Sequence, residues 1–497
     1  MAAAGGADIN LDPLRLEAIS LQAFGAFSAN ERIPIGGRNL VVYGENGAGK
    51  SSIYRALRDL FSRAPNDKMI KRNAHVHPLE PDLDTKVTVE FNHGQPIVWS
   101  TGKHPGSPPA DPRLGSARLR SAFLDYHSLL QTNAIHGTKR PNLFDLAIEV
   151  LLHDFATEAG GSTVAERWRD VEKKKPWRHF RDESHMPPVE SACAIFNSTL
   201  DAAVETLTPK INELLNDLGQ NGLTISHFSR GTVQYQNAHF KADRIFKGRT
   251  LYPNVEFRGH QPKAPQHFLN EARLSALALA IYLAARLTCV PQDASKHLKL
   301  LVLDDVLVGL DYGNRRPLMA MLEKHFADWQ VVLLTHDRHW FEIIRAAIPE
   351  EKWTCHELYE MVAVTGEGTP FLRPVAQDIV KATLKQATDF VAQKHLPAAA
   401  NYARSACEIY FRKYAEKHKL EFPYKPDPKK LTFEQLKKAI ETKVAGDETK
   451  TTAVAALDPF QTRILNPLSH DPTTSLNQAE VEAAITAVTH MVETLRK

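Results

Sequence analysis

Gly44-Glu45-Asn46-Gly47-Ala48-Gly49-Lys50-Ser51 is the stretch on which the fold turns. It matches the GxxxxGK[ST] pattern in full and lies between an apolar strand, RNLVVY (38–43), and residues with helical spacing over 52–62. Strand, glycine loop and helix in that order are the context a phosphate-binding loop requires. Gly44, Gly47 and Gly49 let the backbone curl so that successive N–H groups face a phosphate. The following helix adds the positive end of its dipole. Lys50 is expected to reach the β- and γ-phosphates and the Ser51 hydroxyl to bind Mg²⁺, with Asn46 and Ser52 completing the contact set. The cofactors predicted are therefore ATP and Mg²⁺.

Further along, LLVLDDVLVGLD (300–311) is an apolar strand ending in two acids. A carboxylate at such a strand end can hold a magnesium shell, the role expected of Asp304. Its neighbour Asp305 is placed to orient or deprotonate an attacking water. LLTHD sets His336 just after another apolar strand, where strand ends of an open parallel sheet converge on the ligand crevice. Strands at 14–24, 38–43, 86–100, 298–303 and 330–334, alternating with helices at 268–289, 314–326 and 338–347, predict an α/β body with a mixed, largely parallel sheet.

Together these residues resemble an ABC-type ATPase head of the RecF/SMC class. GENGAGKSS resembles the Walker A motif, LLVLDD the Walker B, Gly309–Asp311 the D-loop and LLTHD the switch-histidine loop, over residues 12–140 and 222–345. The resemblance implies a head-to-tail homodimer or higher oligomer around two ATP molecules. Two departures accompany it. The serine–glycine–glycine core of the family signature is replaced by HFLNEARLSALALA, which leaves Asn270 as the polar donor toward a partner's nucleotide. Asp305 stands where many relatives have Glu, one methylene further back. A shift of ~1 Å in a catalytic group can cost ~10²-fold in rate, so slow turnover is expected.

The boundaries read as 1–140 and 222–364 for the two parts of the head, 141–221 for a helical insertion, and 375–497 for an all-α C-terminal domain. The insertion is short and lacks sustained heptads or a CxxC hook, which excludes a long coiled-coil arm. In that respect the chain is similar to compact anti-phage ATPases of the Septu or PrrC type. Within the insertion, RWRDVEKKKPWRHFRDESHMPP interleaves Trp168, Trp177 and Phe180 with basic residues. It reads either as a solvated face or as a nucleic-acid contact. TGEGTPFLRP (365–374) has the punctuation of a linker.

After it, helices are expected at 378–393, 397–419, 431–444 and 477–495. Arg463 to Asp471 resembles the RX4–6H motif of HEPN domains, in which Arg463 would hold a scissile phosphate and His470 act as general acid or base. Ile464 and Pro467 depart from that pattern, and a structural cap near Asp471 is the alternative. The functional expectation is a nucleotide-gated regulator in anti-phage defence. It would control a nuclease, either its own HEPN-like domain or a partner, and contact tRNA or DNA. The alternative is a RecF-like DNA-repair ATPase without nuclease activity.

Composition bounds the rest. With 497 residues, 61 Lys+Arg against 58 Asp+Glu and a net charge of +3, the chain is no polybasic binder, a balance that does not exclude a local basic patch. Four isolated cysteines offer no zinc or disulfide framework. The most apolar stretch, Leu274–Leu287, is interrupted by Arg286 and reads as a core helix rather than a membrane span. The opening residues lack a basic region leading into an apolar one, so a cytoplasmic protein without membrane partners is expected.

Overall fold

The computed structural model describes residues 13–62, 67–75, 82–101, 110–125, 141–158, 161–175, 186–290, 297–306, 312–349, 351–362, 368–375, 378–422, 432–461, 464 and 476–496. They form two compact units, Met1–Val375 and Ala376–Lys497.

The strands are β1 (Leu16–Gln22), β2 (Glu31–Pro34), β3 (Asn39–Gly44), β4 (Lys86–Phe91), β5 (Ile97–Ser100), β6 (Ser121–Asp125), β7 (Leu223–Arg230), β8 (Gln234–Tyr235), β9 (Phe246–Lys247), β10 (Leu251–Phe257), β11 (Leu300–Asp304), β12 (Gln330–Thr335), β13 (Trp353–Val362) and β14 (Gly368–Val375). The central sheet runs β14-β13-β3-β12-β11-β6. Every pairing in it is parallel except the antiparallel β13–β14 edge. The sheet is thus mixed and largely parallel. An antiparallel sheet, β2-β1-β4-β5, packs beside it.

Side chains of the central strands alternate between two cores, as a pleated strand covered on both faces requires. Leu40, Val42, Leu300, Val302, Val332 and Leu334 meet the antiparallel sheet and the Lys50–Leu60 helix. Val41, Leu301, Leu303, Val331 and Leu333 face the long helices Met186–Asp217 and Glu271–Cys289. The region expected as an insertion therefore shares the main core of the head. Trp168 belongs to it: it is buried against Phe144, Phe196 and Phe246, so it supports the fold and is no free stacking platform. Trp177 and Phe180 lie outside the described residues.

The Glu271–Cys289 helix is long and apolar enough to cross a membrane, yet Ala276 to Arg286 are all buried in the α/β body. Arg286, the break in its apolar run, donates to the Leu151 carbonyl at 2.6 Å and to that of Val150. Both carbonyls belong to a π-helical turn, Ala147–Leu151. A widened turn leaves carbonyls in need of donors, which explains a buried arginine in an apolar helix.

The expected linker is a correction. Residues 368–375 are an edge strand, paired from Gly368 with Val362 to Val375 with Cys355, so the head continues past 364. Pro370 and Pro374 are tolerated because an edge strand can spare ladder donors.

Among its described residues the elements of the C-terminal unit are all helices. Helices Ile379–Ala392, Leu396–Lys417, Phe433–Val444, Glu448–Ala455 and Gln478–Arg496 enclose Ala403, Cys407, Phe411, Ile440, Val488 and Met491. Asp378 caps the first helix and accepts from Arg496 at 2.6 Å, which ties the unit's ends together. Glu448–Ala455 was not among the expected helices. Arg463 and His470 lie outside the described residues.

Candidate nucleotide site

The site forms where β3, β11 and β12 end on one edge of the central sheet. β3 delivers Gly44 against β13, where a Cβ would stand 2.9 Å from the Leu358 carbonyl, so the close approach admits only glycine. Gly47 and Gly49 take φ of 93° and 103°, in the left-handed region, and turn the chain into the Lys50–Leu60 helix. Gly49 is that helix's N-cap, and Asn46 is exposed at the loop tip.

Lys50 is 4% exposed. Its ammonium donates to the carbonyls of Gly44 at 2.7 Å and Glu45 at 3.1 Å, which holds it over the loop. Burial lowers its proton affinity, and the nearby Asp305 and Asp304 partly restore it. Asp305 Oδ2 lies 4.0 Å from the ammonium. The Ser51 hydroxyl donates to Asp304 Oδ2 at 3.0 Å. Ser52 turns away: its hydroxyl accepts from the Ala26 N–H at 3.0 Å and braces the Gly25–Ala26 turn.

Asp304 ends β11 and is 6% exposed. Its Oδ1 is buried with no hydrogen-bond partner. Burial, then the adjacent Asp305 charge, pushes its pKa up to about 6, against the pull of the Ser51 bond and Lys50. A buried carboxylate oxygen without a donor is costly unless a cation serves it. Asp304 and Ser51 form an all-oxygen donor pair, which suits a hard divalent ion such as Mg²⁺.

Asp305 adopts φ 52°, strained for a residue with a Cβ, and its N–H donates to the Leu334 carbonyl at 3.0 Å. Its Oδ1 accepts from both the N–H and the Nδ1 of His336, each at 2.9 Å. His336 follows β12 directly. The next residue, Asp337, caps the Arg338–Ala347 helix through the Trp340 N–H and receives Arg315 at 2.5 Å. The turn carrying His336 is thereby fixed on both sides.

Lys50, Ser51, Asp304, Asp305 and His336 therefore come together. Asn270 does not join them. It caps the Glu271–Cys289 helix by accepting from the Arg273 N–H at 3.0 Å, and it lines a separate pocket of about 270 Å³ with Gln220, Arg258 and Arg273. Both arginines stack on Phe257, at 5.1 and 4.7 Å from the ring centre. Residues 309–311 lie outside the described residues.

Two features escaped the sequence reading. Arg338 stacks on Tyr43 and pairs with the buried Glu357 at 2.5 Å, and Tyr359 donates to the same carboxylate at 2.6 Å. This network braces β3 against β13 beside the loop. The second is Asp125, which ends β6 in register with Asp304. A short strand closing on an acid, SAFLD, was the available sign.

Residues 14–78 match the model of a family described as an AAA domain. Among solved structures, the chain is similar to the recombination mediator protein RecF with ATP, at 11% identity and a TM-score of 0.43, covering 75% of this chain and 100% of that one. It is also similar to the Smc head domain with an extended coiled coil from Pyrococcus furiosus, bound to the C-terminal domain of ScpA (13%, 0.38, 75% and 99%). A third is the SMC head domain from Thermotoga maritima (15%, 0.32, 73% and 99%). No curated protein sequence matches the chain. The likeness is thus to an AAA domain near the N-terminus and, distantly, to RecF and SMC heads over about three quarters of the chain.

Proposed function

We propose that this protein is a magnesium-dependent ATPase of the RecF/SMC-like ABC type that works as a slow, nucleotide-gated switch. The observation that carries the reading is the convergence of Lys50, the Ser51–Asp304 pair and the Asp305–His336 pair at three strand ends around a left-handed glycine loop. Lys50 neutralises the β- and γ-phosphates. Ser51 and Asp304 hold Mg²⁺, which when bound draws charge from the phosphate oxygens. Asp305 orients the attacking water. His336, held by Asp305, hydrogen-bonds the terminal phosphate or that water. Asp305 is drawn onto His336 and has the shorter acidic side chain, which favours slow hydrolysis. Phosphate release from wild type, Lys50→Ala and Asp305→Asn with Mg²⁺ tests this. Wild-type turnover well below ~10 s⁻¹, abolished in both variants, is expected.

The Asn270 pocket, with its two arginines, would meet the nucleotide of a second copy in a head-to-tail dimer. Light scattering of Asp305→Asn with and without ATP tests that: ATP-dependent doubling of mass supports it, and an unchanged monomer refutes it. The C-terminal helices then serve as an effector or docking unit that the ATPase releases, in an anti-phage role. Cleavage of total tRNA in the presence of ATP, lost in Arg463→Ala and His470→Ala, supports an intrinsic RNase. Intact tRNA with tight ATP-dependent binding of gapped duplex DNA supports the DNA-repair reading instead.

A further inference from the structure

We propose that Asp125 is a third carboxylate of the magnesium site, positioning the ion through its bound waters. The assignment rests on the ATPase reading above and adds a residue to it. Parallel pairing sets Asp125 directly beside Asp304, and Phe123 beside Val302. Neighbouring strands lie about 4.8 Å apart, and side chains two residues apart along a strand share a face. Leu300 and Val302 point into the core under the Lys50–Leu60 helix, so Asp304 points that way too. Phe123 packs edge-on against Tyr54 of the same helix, with ring centres 6.1 Å apart. Asp125 therefore opens on the same side as Asp304, at the same sheet edge.

Two acids on adjacent strand ends, both turned toward a phosphate loop, repel each other. The partnerless Oδ1 of Asp304 is an independent sign that a cation belongs here. Mg²⁺ keeps several of its six waters, and those waters need acceptors. Asp304 and Ser51 would hold the ion from the loop side. Asp125, one strand further out, suits the acceptor role for a water on the opposite side, as outer-shell carboxylates do elsewhere.

The experiment separates metal from nucleotide. ATP affinity of full-length wild type, Asp125→Asn and Asp125→Ser is measured by calorimetry in EDTA, and Mn²⁺ affinity of the ATP-loaded proteins by the electron paramagnetic resonance of free Mn²⁺. The expected result is a loss of Mn²⁺ affinity of roughly tenfold to a hundredfold. ATP affinity in EDTA is expected unchanged or tighter, because a charge that repels the triphosphate is gone. Unchanged Mn²⁺ affinity in both variants overturns the assignment and leaves the ATPase reading intact. Equal losses in both arms mean that Asp125 only supports the fold, which also overturns it. Wild type that binds no ATP overturns the ATPase reading and the assignment with it.

Discussion

Replacing Asp304 with Asn should stabilise the metal-free protein, although it removes a carboxylate that the proposed magnesium site would use. The side chain is 6% exposed, and its folded pKa of about 6 stands above the ordinary 3.8 because burial and Asp305 oppose its charge. That gap is worth about 3 kcal/mol at 1.36 kcal/mol per tenfold change in proton affinity. The sign follows from the direction of the shift. Below the unfolded value both states hold the proton and no penalty exists. As pH rises from the unfolded to the folded value the unfolded chain ionises freely while the buried group keeps its proton, so the penalty grows and levels off once pH passes the folded value. The penalty is complete above neutrality, and about half of it is gone at pH 5. Asn cannot ionise and still accepts from Ser51. Urea denaturation of both proteins in EDTA, at pH values from 5 to 8, should therefore show Asp304→Asn more stable by up to about 3 kcal/mol at pH 7.5, with the advantage shrinking on acidification. Titrations common to both proteins cancel in the difference. An Asp304→Asn protein no more stable than wild type at pH 7.5, or an advantage that ignores pH, would refute the reasoning.

Three further outcomes are expected. Gly49→Ala places a Cβ at φ 103° and 3.0 Å from Pro370 Cγ; it should cost at least about 1–2 kcal/mol in denaturation from the backbone alone and weaken ATP binding. His336→Ala should lower the rate of phosphate release by roughly 10²–10⁴-fold while calorimetry shows ATP still bound. Trp168→Ala removes a buried indole from an aromatic cluster; it should cost about 3–5 kcal/mol in denaturation, and any change in nucleic-acid affinity at a temperature where the variant is folded would contradict its role in the core.

The glycine loop and the two strand-end motifs were readable because each is local: a few contiguous residues carry both the strand and the polar residues that end it. The central strands β3, β11 and β12 followed from the same local apolar runs. What was missed depends on pairing. Asp125 gains meaning only once β6 is known to lie beside β11 in a register that sets it against Asp304. β14 was hidden because Gly368, Pro370 and Pro374 mark a linker in one dimension and an edge strand in three. Trp168 sat among basic residues in sequence, yet its neighbours in space are Phe144, Phe196 and Phe246. Asn270 kept its polar character but spends one oxygen on capping a helix, a local geometry the missing glycines disguised.

Calorimetric titration of ATP with Mg²⁺ into wild type and Lys50→Ala bears on the whole account. Saturable binding of one nucleotide per chain, lost when the buried ammonium over the Gly44 and Glu45 carbonyls is removed, is the predicted result. No binding by the wild type, or equal binding by the variant, would contradict it.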